Sequence, residues 1–294
     1  MKSAIEQSIK EKIKALSKER GSTFAETWRN LILERFLTRL SLSPYKENFI
    51  LKGGTLLAKY IHLGRETQDL DFFIQKLANT EQSLRTVLQV ICDVDANDSF
   101  SFEIAKIKIL DHSQLAYTGA EITLQALFGA TKTVIRMDLG FGDRVDPIEH
   151  PINLTATSKG PLFESGISLH CYPKEFIFAE KLETIVFRGG GNTRMKDFHD
   201  LYSLVSLNIL NTSLAKKTVQ LVFHHRKTPL KKLSTSLGKD TLKTMEKNWS
   251  AYHKKIKSKK GAIKLPESIE EVVSTVNQWL EENAFIPFGT GELT

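Results

Sequence analysis

The chain has 294 residues, 41% of them hydrophobic, which is enough for one large domain or two smaller ones around a substantial core. No stretch approaches the ~20 apolar residues of a membrane span. The N-terminal segment has no apolar run of the secretory kind, and Cys92 and Cys171 lie far apart without metal-ligand spacing, so a cytoplasmic protein with two free thiols is expected. The net charge of +7 is unevenly placed: residues 216–260 hold fourteen Lys/Arg against two acids, a local +12. Elsewhere 27 basic residues face 32 acidic ones, a balance of −5. An acidic part joined to a basic helical part suits an enzyme that loads a cation and nucleotide and also holds a polyanion. A solvated helical face is the plainer alternative.

In chain order, Ile5, Ile9, Ile13 and Leu16 recur at helical spacing and predict an amphipathic helix over residues 3–18, closed by Gly21. Thr23 and Glu26 read as a capping box opening a second helix, with Trp28, Leu31, Ile32 and Phe36 on its apolar side. Ser43-Pro44 stops it. Residues 49–51 predict a short buried strand, 55–63 a helix, 69–74 a strand and 80–96 a helix. Apolar alternation predicts strands over 100–109, 121–128 and 133–139, the last two joined through Gly129. From Pro173 onward the period is helical, and residues 158–162 are the best linker candidate. The expected fold is α/β (α+β): a mixed sheet packed by helices, followed by a helical C-terminal region. The expected organisation is an N-terminal helical pair over 1–48, a core over 49–160, and helices over 161–294 that include the basic segment 216–260.

The most informative run is Lys52-Gly53-Gly54-Thr55, followed by Arg65-Glu66-Thr67-Gln68-Asp69-Leu70-Asp71. It reads as strand end, glycine turn, helix start, then a strand opening with Asp-x-Asp. Residues two apart on a strand share a face, so Asp69 and Asp71 point the same way, about 6–7 Å apart. Two such carboxylates can grip a hard divalent cation. The glycines let a phosphate approach the backbone N–H groups at the start of the helix near Thr55. Together these features point to metal-assisted chemistry on a nucleotide. Arg65 and Thr67 read as bracing that loop or touching phosphate, and Lys52 as strand-end solvation.

This arrangement resembles the nucleotidyltransferase superfamily. Its residues from Phe49 to Leu57 and from Arg65 to Phe72, with the helix before them, resemble the AbiEii/MenT family, the toxin half of abortive-infection and type IV toxin–antitoxin pairs. The likeness runs from about Ser22 to about Leu207. It implies a nucleotidyltransferase-fold core and a third Asp on a neighbouring strand, a place that Asp138 fills. Asp138 stands amid an apolar strand and so asks for a partner: a metal shared with Asp69 and Asp71, or Arg136 or Arg144 in a salt bridge. Asp143, after two glycines, reads as a turn residue.

The resemblance also covers Lys181 and the run Arg194-Met195-Lys196-Asp197-Phe198-His199-Asp200-Leu201. It implies that Lys181 neutralises the triphosphate as pyrophosphate leaves, with Glu180 and Glu183 as alternative ion-pair partners. Arg188, two turns on, shares its helix face and is a further phosphate candidate, as is Lys196. Asp197 is placed to cap the next helix and Asp200 to face the nucleotide or Lys181, and these two roles could be reversed. His199 reads as a surface or helix-packing residue.

The resemblance therefore implies magnesium, in a two-metal site held by Asp69, Asp71 and Asp138, with Gly53, Gly54 and Thr55 seating phosphate. It further implies an NTP substrate, an RNA acceptor such as the tRNA 3′ end, and a cognate antitoxin. The alternatives are a nucleotide-binding regulator with lapsed transferase activity, or transfer to a protein or small molecule. The sequence has no P-loop, His-Glu-x-x-His or Gly-x-Ser-x-Gly motif to support a different chemistry.

Overall fold

The structure is a computed structural model that describes residues 2–110, 118–143, 145–230, 233, 237–256 and 263–285. The chain forms two compact units: Met1–Ile61 with Glu66–Tyr172, and His62–Arg65 with Pro173–Thr294.

The first unit opens with α1 (Lys2–Arg20), which buries Ile9, Ile13 and Leu16, and α2 (Phe24–Leu42). The capping box of α2 is formed: the Thr23 hydroxyl accepts from the Glu26 N–H, and the Thr23 N–H donates to the Glu26 carboxylate. From Thr27 to Leu40 every α2 residue but Arg29 and Asn30 is buried, Arg35 and Arg39 included. Two buried guanidiniums need partners. Arg39 makes a bidentate pair with Asp98 at 2.8 and 2.7 Å and donates to the Phe100 carbonyl, while Arg35 pairs with Asp98 and Glu164 beneath the Phe163 ring.

Then follow β1 (Phe49–Lys52), α3 (Gly53–Tyr60), β2 (Asp69–Ile74), α4 (Glu81–Cys92), β3 (Phe100–Leu110), β4 (Gly119–Phe128) and β5 (Thr131–Phe141). After them come β6 (Ile148–Asn153), β7 (Ala156–Thr157), β8 (Gly160–Pro161) and β9 (Gly166–Cys171). Among the described residues, seven strands form one mixed sheet in the order β3-β4-β5-β2-β1-β9-β6. The strand pair β2–β5 is parallel, while β1–β2, β3–β4 and β4–β5 are antiparallel. Strands β6 and β9 extend the sheet beyond β1 and were not expected from the sequence. Where the sequence suggested a linker at 158–162, β7 and β8 make a small hairpin.

The second unit is helical, as the change of period predicted: α5 (Lys174–Arg188), α6 (Met195–Ser206), α7 (Thr212–His225), α8 (Lys239–Ile256) and α9 (Ile269–Glu282). Helix α5 packs against α6 and α7, and α6 against α9. Phe178 of α5 stacks edge-on with Trp279 of α9, and Trp249 of α8 is fully buried with its indole N–H on the Pro266 carbonyl.

Candidate functional site

In the first unit, β1 runs out at Lys52 and the chain turns at Gly53, whose φ of +70° favours glycine. A Cβ at Gly53 would overlap the Asp71 carboxylate, so the glycine is required both by conformation and by close approach. The N-cap residue of α3, Lys52, makes no side-chain cap bond to the first turn of the helix. The Thr55 hydroxyl is committed elsewhere: it donates to the Asp69 carbonyl at 2.7 Å and ties α3 to the start of β2. Thr67 lies half-buried just before β2.

Strand register assembles the acidic groups. Asp71 is the partner of Asp138 across the parallel β2–β5 pair, and neighbouring strands lie about 4.8 Å apart. Asp69, two residues earlier on β2, shares that face and pairs in register with Arg136. The row continues on both sides, with Glu121 of β4 opposite Asp138 and Lys52 of β1 opposite Asp71. Lys108 of β3 closes it opposite Glu121, at 3.2 Å from its carboxylate. A Lys-Glu-Asp-Asp-Lys line thus crosses five strands.

The sequence suggested that Asp138 is buried amid an apolar strand. It is exposed, because the alternation of β5 turns Ile135, Met137 and Leu139 inward and Asp138 outward. Of its two candidate partners, Arg136 stands beside Asp69 in register, and Arg144 lies outside the described residues. Three carboxylates from adjacent strand positions, all oxygen donors, suit a hard divalent cation in kind. Among the described residues, no three His, Cys, Asp or Glu side chains stand gathered around a single metal position.

Lys52 differs most from expectation. Its side chain is 16% exposed and its ammonium lies 3.1 Å from Asp143 Oδ2 and 4.9 Å from the centre of the Tyr172 ring. The Tyr172 hydroxyl donates to the same Asp143 oxygen at 2.7 Å. Lys52 is a packed cation rather than a solvated strand end, and Asp143 is its ion-pair partner rather than only a turn residue. Lys52 directly precedes the glycine motif, a position that could have signalled it, whereas Tyr172, an aromatic before a proline, carries no such local signal.

In the second unit, Arg65 makes a bidentate pair with Asp200, both contacts 2.7 Å. The Lys181 ammonium sits 2.7 Å from Asp200 and 2.8 Å from Asp197, and Arg194 binds the other oxygen of Asp197 at 2.8 Å. Burial opposes charge on Asp200, but Lys181 and Arg65 outweigh it and hold the carboxyl far below the usual carboxylate range. Asp197 is likewise lowered, with burial overcome by Lys181 and Arg194. Lys181 is raised, since Asp200 and Asp197 overcome its burial.

Asp197 does not cap α6. The helix begins at Met195, so Asp197 lies within its first turn and is spent on the two cations. Glu180 and Glu183, the alternative partners for Lys181, bind Arg226 instead, at 2.7 and 2.8 Å. Lys196 is exposed, makes no salt bridge among the described residues, and is lowered by burial and by Arg194 nearby. Arg188 is exposed at the end of α5. His199 is fully buried, with Nδ1 2.7 Å from the Tyr252 hydroxyl, and burial pushes its pKa down to about 4. The cluster of Arg65, Lys181, Arg194 and Lys196 exceeds its two aspartates in charge, which makes the region electropositive.

Over residues 35–275 the chain matches the family described as nucleotidyl transferase AbiEii toxin, type IV TA system. No curated protein matches it. Among solved structures, MenT4, a nucleotidyltransferase toxin from Mycobacterium tuberculosis H37Rv, is similar at 15% identity and a TM-score of 0.56, covering 94% of this chain and 88% of that one. JHP933 from Helicobacter pylori is similar at 15% identity and a TM-score of 0.45, covering 89% and 92% of the two chains. A nucleotidyltransferase structure from H. pylori aligns at 17% identity and a TM-score of 0.39, over 86% of this chain and 94% of that one.

Proposed function

Because the chain belongs to the AbiEii nucleotidyltransferase toxin family of type IV toxin–antitoxin systems, we propose that it moves a nucleoside monophosphate from an NTP to an RNA hydroxyl, the tRNA 3′ end. The observation that carries this reading is the register that sets Asp71 beside Asp138, next to the uncapped glycine turn of α3.

Gly53, Gly54 and the Thr55 N–H seat the phosphates, and Asp69, Asp71 and Asp138 are the residues that would hold magnesium. When bound, magnesium supplies charge neutralisation at the phosphates and acidifies the acceptor hydroxyl. In the second unit, the electropositive cluster around Lys181, together with Lys196 and Arg188, is a candidate seat for phosphate groups in its own right. Arg65 acts through Asp200, whose position it fixes.

RNA as acceptor is supported by α8. Lys243, Lys247 and Lys254 are exposed along one face of that helix, opposite buried Met245, Trp249 and Ile256. A lysine stripe without aromatics fits a phosphodiester backbone rather than stacked bases. The toxin acts in the cytoplasm, where NTP and tRNA occur together, and is answered by a cognate antitoxin.

The test combines purified protein, magnesium, labelled NTPs and total tRNA. Label should enter tRNA, and Asp71→Asn should abolish it while leaving the fold intact. Nucleotide binding with no transfer to any RNA, protein or small-molecule acceptor would replace this reading with a regulatory one.

A further inference from the structure

Helix α2 packs on one face of the β3–β5 part of the sheet. Trp28 lies against the Phe100 and Phe128 rings and donates its indole N–H to the Thr133 hydroxyl, and Phe36 lies edge-on to Phe102. The opposite face is open. Alternation turns Lys132, Val134, Arg136 and Asp138 of β5 outward, and Val134 is left 54% exposed. Register sets Leu127, Gln125 and Thr123 of β4 opposite Lys132, Val134 and Arg136. The open face therefore begins at the Asp71–Asp138 row and runs along β5 away from it.

The cations on this face are unpaired. Lys106, Lys132 and Arg136 are exposed and make no salt bridge among the described residues. Lys108 and Glu121 neutralise each other, so beyond the carboxylate site with Asp69 the remaining acid is Glu103, out on β3. Arg136 is one pleat from Asp138 and stands beside Asp69 in register; Lys132 lies roughly 13 Å further along β5 at ~3.3 Å per residue. On the β1 side the row ends differently, at Lys52, whose charge is already met by Asp143.

We propose that the open face of β5 carries the single-stranded 3′ end of the acceptor RNA, with backbone phosphates on Arg136 and Lys132 and the terminal hydroxyl delivered to Asp138. This rests on the reading that RNA is the acceptor, and it does not depend on the α8 stripe. Charge and layout select this occupant. Cations repeated along one straight strand face suit an extended polyanion, and the line they form leads to the carboxylates where the hydroxyl must react. Val134 packs on a ribose between the two phosphates. Thr123 and Gln125 offer a hydroxyl and an amide to the sugar 2′-OH or a base edge. None of the outward residues named here is aromatic, so the face holds the backbone without stacking bases.

The experiment uses the full chain and reads two quantities: anisotropy of a short fluorescent single-stranded RNA, and transfer of labelled NMP to total tRNA. Lys132→Gln combined with Arg136→Gln should weaken the oligonucleotide about tenfold or more and lower its salt slope by about 1.4, at ~0.7 per phosphate contact. The transfer defect should lie in KM for tRNA, with NTP affinity unchanged. Val134→Asp should also weaken RNA, without removing a cation. Lys12→Gln combined with Lys18→Gln removes the same charge from exposed positions of α1 and should change neither quantity. Thermal unfolding checks that each variant folds.

Equal loss in the Lys12 and Lys18 variant would overturn the inference, because bulk charge alone would then explain it. Unchanged RNA affinity and KM in the β5 variants, alongside transfer lost in Asp71→Asn, would overturn the inference and leave the proposed function standing. A blunt RNA duplex that competes as well as the single strand would overturn the assignment to a single-stranded end. Loss of antitoxin binding with RNA binding intact would make the face a protein-docking surface instead. A parent chain that labels no RNA would remove the proposed function and this inference with it.

Discussion

Replacing Asp200 by Asn tests the buried cation network most directly. The carboxylate is wholly buried and neutralises two cations at once, Arg65 through two 2.7 Å contacts and Lys181 through one. The amide keeps the shape but not the charge. Lys181 still has Asp197, whereas Arg65, with a side chain only 6% exposed, loses its bidentate partner. Removing one member of a buried pair costs about 3–5 kcal/mol, because the other charge stays desolvated. Asp197→Asn should cost less, about 1–2 kcal/mol, since Lys181 keeps Asp200 and the Arg194 side chain is 43% exposed and can reach water. The assay is urea unfolding at pH 7 followed by helical circular dichroism, comparing both variants with the parent. The Asp200 carboxyl is depressed in the fold, so its contribution is present above the unfolded value near ~3.9 and fades as pH falls below it. The parent's advantage over Asp200→Asn should therefore persist at pH 5 and shrink toward pH 2–3. Equal losses under about 1 kcal/mol in the two variants would refute the reasoning.

Gly53→Ala forces a side chain into left-handed backbone and onto the Asp71 carboxylate, and should destabilise by at least about 1–2 kcal/mol while cutting transfer, measured by unfolding and labelled-nucleotide incorporation. Replacing Lys243, Lys247 and Lys254 together by Gln should reduce the salt slope of RNA binding by about 2, at ~0.7 per phosphate contact, with NTP affinity unchanged. A fluorescence anisotropy titration across salt concentrations reads that slope. His199 has a folded pKa of about 4 against an ordinary ~6.5, so its contribution is present above ~6.5 and is lost as pH falls toward 4. The drop in melting temperature between pH 7 and 4.5 should accordingly be smaller in His199→Gln than in the parent.

Much of this architecture was legible before any tertiary contact was known, and the legible part is local. The Thr23–Glu26 capping box spans four residues, β2 occupies the expected residues 69–74, and the placement of Asp69 and Asp71 on one face follows from the two-residue period of a strand. Strand β5 was visible in its alternation, and so was the switch to helical period at Pro173. Strands β6 and β9 were not. Gly166–Cys171 carries little alternation of its own and becomes a strand by pairing with β1 and β6, including a parallel bridge from Leu51 to Cys171.

Residue type and short spacing thus singled out the glycine turn and the Asp-x-Asp pair as candidates, and the family resemblance added the later Asp and the Lys181 helix. Only tertiary structure decided their partners. Register placed Asp71 against Asp138 and turned Asp138 outward; folding tied Lys52 to Asp143 and Arg65 to Asp200, pairs separated by 91 and 135 positions. A buried charge selects whichever opposite charge the fold brings within reach, and that choice is made by long-range packing rather than by the residues that flank it.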